Sequence, residues 1–120
     1  LSGFASYLSA ADHGAADNSA ADHRERSQPQ SVRGLRRQAE QTYGAILETM
    51  AAAGAQPHHL LSTVEYITPE ALPVYREVAD VRRELLREPY PVSTGIVCEG
   101  LPTSGLMIEV VSTAMIPAGV

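Results

Sequence analysis

At 120 residues the chain can build one compact core but not two, so one site, or one shared between copies, is expected. A formal net charge of −5, with arginine supplying all nine basic residues, argues against tight nucleic-acid binding, and 44% hydrophobic with 19% charged residues argues against wholesale disorder. No apolar run approaches the roughly eighteen residues of a membrane span and the N-terminus lacks the basic-then-apolar order of a secretory signal, so a cytoplasmic protein without a membrane partner is expected.

The opening segment, Leu1 to Leu8, alternates loosely and carries aromatics, which reads as a short strand. Residues 10–24 then repeat Ala-Ala-Asp at a spacing of five, a period that fits neither helix nor strand. Together with its small and polar composition this predicts a flexible inserted loop over 9–30. His13 and His23, with Asp12, Asp17 and Asp22, follow no ligand spacing, and a loop would have to be ordered at an entropic cost before gripping an ion. A solvated insertion is the expectation, and no metal or other cofactor.

From Ser31 the pattern becomes helical: Val32, Leu35, Ala39, Tyr43, Ile46, Leu47 and Met50 recur at intervals of three and four, with Gly54 as the stop. His58 and His59 are adjacent, so on extended chain they would point to opposite faces, and a surface turn is expected. Leu60 to Ile67 is a run of β-formers. A second helix follows Pro73, over 74–86, with Val74, Val78, Val81 and Leu85 on one side. Arg76, Arg83 and Arg87 lie among Glu77, Asp80, Glu84 and Glu88 as a solvated face with i,i+3 and i,i+4 partners. Two strands, 91–99 and 106–116, finish the chain.

This order predicts an α+β fold: a single-domain sandwich over 1–120 in which two helices cover one face of a mostly antiparallel or mixed sheet. The other face is left for partner subunits. The lone cysteine, Cys98, cannot form an internal disulfide and sits in an apolar strand, as a core residue would. Glu109 stands out because it is the one charge in an eleven-residue strand of apolar and hydroxyl residues, and a carboxylate at such a place suggests a site.

The succession of strings resembles the YjgF/RidA (L-PSP) family. "SG" at Ser2 and Gly3 resembles that family's "SGQ", residues 36–55 its helix "RQALENIKAVLEAAGA", and "LLSTVEYIT" its "VVKTTVYLT". "YREVADVRRELL" resembles "YxxVNxVYxEFF", and the closing strands resemble "PARSTV" and "LPxxGALVEIEAIA". The resemblance implies a chorismate-mutase-like or YjgF-like homotrimer with clefts between subunits. In its imine deaminases a cleft arginine holds the carboxylate of a 2-imino or enamino acid and a glutamate positions the attacking water. The glutamate matches Glu109, and Ser2, Val92, Ser93, Thr94 and Cys98 become candidate substrate-binding positions.

The chain departs from the pattern at telling places. Val92 stands where the family has the arginine, Ala79 replaces an asparagine and Arg82 a tyrosine, and the loop after Tyr7 is longer than usual. Arg24, Arg26, Arg33, Arg36 and Arg37 are the cations another subunit could bring to the cleft. Three functional readings follow. The first is a RidA-like enzyme acting on an imine, enamine or related reactive intermediate through Glu109, a deaminase-like hydrolase. The second is a non-catalytic trimeric ligand-binding or regulatory protein, and the third, weakened by the negative charge, is an L-PSP-type ribonuclease.

Overall fold

The computed structural model describes residues 3–5 and 30–118. Strand β1 (Gly3–Ala5) is followed by helix α1 (Gln30–Ala52), a 3-10 turn (Pro57–His59), strand β2 (Leu60–Ile67), a second 3-10 turn (Leu72–Val74), helix α2 (Arg76–Leu85) and strands β3 (Val92–Val97) and β4 (Ile108–Ala114). The sheet order is β1-β4-β2-β3. Strand β4 runs antiparallel to both β1 and β2, whereas β2 and β3 are parallel. The parallel pair follows from connectivity, because α2 carries the chain back to the starting edge between the two strands. The expected α+β fold, with two helices over a mixed four-stranded sheet, is what is found.

Helix α1 buries Leu35, Ala39, Tyr43, Ile46 and Met50 completely, at steps of three and four. It ends in a Schellman motif: Gly54 adopts φ 88°, the Ala55 N–H reaches the Met50 carbonyl at 2.8 Å, and the Gly54 N–H reaches that of Ala51 at 3.0 Å. A residue with a Cβ is strained at that φ, so the sequence stop at Gly54 has a steric cause. Helix α2 adds Val78 and Val81 to the core, and its start is later than the expected 74 because Pro73 lies in the 3-10 turn before it. The Arg36 guanidinium ties α1 to α2 through both carboxylate oxygens of Glu84, at 2.6 and 2.7 Å.

Burial alternates along β2 and β4, so that Thr63, Glu65 and Ile67, with Ile108, Val110 and Ser112, face the helices. The intervening residues form a second face that the helices leave open. Strand β3 begins one residue later than the expected 91, where proline has no N–H to give a ladder. The loop before β4 is fixed to α1 by Gln38, which donates to the Gly105 carbonyl at 2.8 Å and accepts from the Met107 N–H at 2.7 Å. The expected inserted loop, its histidines and Ser2 lie outside the described residues, apart from Gln30, which opens α1.

Candidate functional site

Register places the sequence-derived candidates. Ala5, Glu109, Tyr66 and Ile96 form one row across the four strands, and Gly3, Val111, Val64 and Thr94 the next. Glu109 is half-buried on the open face between buried Ile108 and Val110, which point the other way. It projects from the same face as Tyr66, and among the described residues no side chain hydrogen-bonds or ion-pairs with it. Val92 and Thr94 share this face through their partners Ser62 and Val64, and Val92 is 72% exposed.

Within one chain these residues do not converge. Val92 lies two strands from Glu109 and four residues before its row, so the two are separated by about 10 Å across the sheet and about 13 Å along it. Ser93 turns to the helix-covered face, where its hydroxyl accepts from Thr63 Oγ1 at 3.2 Å. The Cys98 thiol, half-buried, donates to the Ile67 carbonyl at 3.3 Å. The His58 and His59 rings lie 4.1 Å apart, tilted by 45°, in the 3-10 turn, and His59 Nδ1 accepts the Gln56 N–H at 2.8 Å, so this histidine caps a turn. Among the described residues no group of three His, Cys, Asp or Glu side chains lies close enough to hold a metal.

A second constellation went unseen in the sequence. Glu65, 0% exposed beneath the helices, accepts hydrogen bonds from three groups: the Tyr43 hydroxyl of α1, the Tyr75 hydroxyl at 2.5 Å and Arg82 Nη1 of α2 at 2.5 Å. A carboxylate can be buried only when paired and hydrogen-bonded, and here one cation and two hydroxyls satisfy it. Burial, then the Glu65 charge and hydrogen bond, push the Tyr43 hydroxyl far above the ordinary phenol range. Burial, then the hydrogen bond to Glu65, push Tyr75 from 10.0 up to about 12. Burial alone would lower the Arg82 guanidinium, but the charge and hydrogen bond of Glu65 outweigh it and the net direction is up.

Room for this network comes from Gly95, the β3 partner of Glu65: a Cβ there would collide with the Tyr75 hydroxyl. The two family strings carry a valine and a tyrosine where this chain has Glu65 and Arg82. The structure shows these two departures meeting as one ion pair. A signal was present, since Glu65 stands at the inward parity of β2 between Thr63 and Ile67, where a charge requires a partner.

No family model and no curated protein sequence matches the chain. Solved structures do. A protein of unknown function from Pseudomonas aeruginosa is 21% identical, with a TM-score of 0.70, over 97% of this chain and 72% of that one. A YjgF-family member from Mycobacterium tuberculosis is 24% identical, with a TM-score of 0.61, over 67% of this chain and 66% of that one. RidA from an Antarctic Psychrobacter is 27% identical, with a TM-score of 0.58, over 64% of this chain and 60% of that one. The aligned part is thus slightly under two thirds of the length of the latter two proteins. No described helix is long and apolar enough to cross a membrane.

Proposed function

We propose that this chain, whose fold is that of the YjgF/RidA proteins, is a small-molecule enzyme acting on an imine, enamine or related reactive intermediate. Glu109 orients or activates the attacking water. The observation that carries the reading is the placement of Glu109, a half-buried carboxylate on an open sheet face, opposite Tyr66 and flanked by Val111 and Val64. A carboxylate at such a place can hold or activate a water next to a reacting carbon once a second copy covers the face. Because register separates Val92 from Glu109 in one chain, a cleft using both takes its walls from two copies, and the assembly proposed for it is a homotrimer with clefts between subunits. Valine at position 92 cannot fork onto a carboxylate, so the substrate is one that is not held there by its acid group.

The second reading, a trimeric ligand-binding protein that has lost the chemistry, draws on the same Val92. The separating measurement is ammonia release from freshly generated 2-iminobutyrate by the wild type, Val92→Arg and Glu109→Gln. Activity gained in Val92→Arg and abolished when Glu109→Gln is added supports the enzyme. Activity that survives Glu109→Gln removes that carboxylate from the mechanism, and inactivity of every form favours the binding protein.

A further inference from the structure

The four strands carry only two charged residues, and both are glutamates: Glu65 in β2 and Glu109 in β4. Glu65 turns to the helices and is met there by Arg82. Glu109 turns to the open face, and no described cation does the same for it. The described arginines belong to α1 and α2 on the other side of the sheet, or, in the case of Arg87, bond the carbonyls of Glu84 and Leu86 at the end of α2. The two described histidines precede Leu60, which is six residues and about 20 Å of strand short of Tyr66, the partner of Glu109.

Tyr66 stands directly opposite Glu109 in the antiparallel ladder. Facing residues of such a pair hold their Cβ atoms about 4.5–5.5 Å apart, so the phenol ring and the carboxylate rise side by side from one face. Both are half-buried, and among the described residues neither side chain has a hydrogen bond or ion pair. Val111 and Val64 fill the next row, and Ile96 lies beyond the ring. The carboxylate offers a full negative charge, the ring face a negative quadrupole, and the apolar surround little competition for either. All three favour a cation and oppose an anion.

We infer that this open-face site receives a planar organic cation, a protonated imine that carries no acid group, with its charged C=N end on Glu109, its plane against Tyr66 and its apolar part over Val64 and Val111. An imine bearing a carboxylate would set that anion beside Glu109 with no cation to meet it, because position 92 is valine. The missing cation of the open face is thus supplied by the ligand, as Arg82 supplies it to Glu65 on the other face. This rests on the reading of Glu109 as the carboxylate that meets the substrate, but it concerns affinity rather than turnover.

The test uses benzamidine, whose planar amidinium is a stable mimic of a protonated imine, with benzamide as its neutral and benzoate as its anionic isostere. Each is titrated into the full chain by calorimetry, with tyrosine ring resonances followed by NMR and the midpoint of thermal unfolding recorded. Benzamidine is expected to bind saturably, to shift a tyrosine resonance, to raise the midpoint and to weaken as salt is added. Benzamide is expected to bind at least about tenfold more weakly, and benzoate not at all. Glu109→Gln, nearly isosteric, should weaken benzamidine about tenfold, the equivalent of about 1.4 kcal/mol, and Tyr66→Leu about threefold. The unfolding midpoint without ligand shows that each variant is folded. Benzamide or benzoate matching benzamidine, no saturable binding in the millimolar range, or unchanged affinity in either variant would each overturn the proposal. Ammonia release decides the enzyme reading separately. Turnover that depends on Glu109 in a protein that ignores benzamidine removes the cationic substrate alone, whereas benzamidine binding without turnover in any form removes the enzyme and leaves a cation site.

Discussion

The two faces of the sheet solve opposite problems. Under the helices apolar residues fill most of the space, the Thr42 and Ser112 hydroxyls are buried without a partner, and the one fully buried charge, Glu65, has three donors from three different segments. On the open face Glu109 has no partner among the described residues and Val92 and Ile96 lie exposed. A buried carboxylate with all its partners reports on stability and positioning. A half-buried one without them can be met by solvent, and on the reading proposed above it is where a substrate would be received.

The largest effect should come from breaking the buried side. Arg82→Leu leaves Glu65 buried without its cation and is expected to cost about 3–5 kcal/mol in urea unfolding. Adding Glu65→Val should recover much of that loss, and a double-mutant cycle showing simple additivity would mean that the pair is not coupled. Gly95→Ala is next: the new Cβ meets the Tyr75 hydroxyl and should cost about 1–3 kcal/mol, with partial relief in the Tyr75→Phe background.

The alkaline limb sharpens the contrast further. Tyr75 is raised in the folded state, so its contribution is complete below the ordinary value of 10.0 and is lost as pH rises toward about 12. Tyr75→Phe should therefore flatten the fall in stability across that window, and an unchanged slope would separate the hydroxyl from it. The smallest effect on stability belongs to the open face. Ile96→Asp should change the unfolding of a single chain by within about 0.5 kcal/mol, as surface substitutions do. By sedimentation the same variant should break the proposed trimer, and an oligomer that survives it would show that this face is not where copies meet.

Much of this was legible beforehand. The core stripe of α1, the stop at Gly54, the limits of β2 and the one-sided coverage follow from periods of 3.6 and 2 and from the backbone freedom of glycine. The solvated reading of Arg83 also holds, since it pairs with Asp80 three residues away. Glu65 and Arg82 escaped as a pair: Arg82 stood out only as an arginine in place of a tyrosine, and the inward parity of Glu65 did not say which cation would meet it. Their meaning is relational, and seventeen residues separate them in sequence.

The division has a physical cause. Which residues turn inward is a local property, fixed by dihedral geometry and hydrophobic pattern, and the sequence by itself determined it for both helices and for β2. Which inward groups meet depends on strand order and register. These arise only when the whole core closes, with β4 placed between β1 and β2 and β3 sent to the edge. The tertiary structure alone could decide that Glu65 binds Arg82, that Gly95 yields its space to Tyr75, and that Val92 and Glu109 share a face without touching.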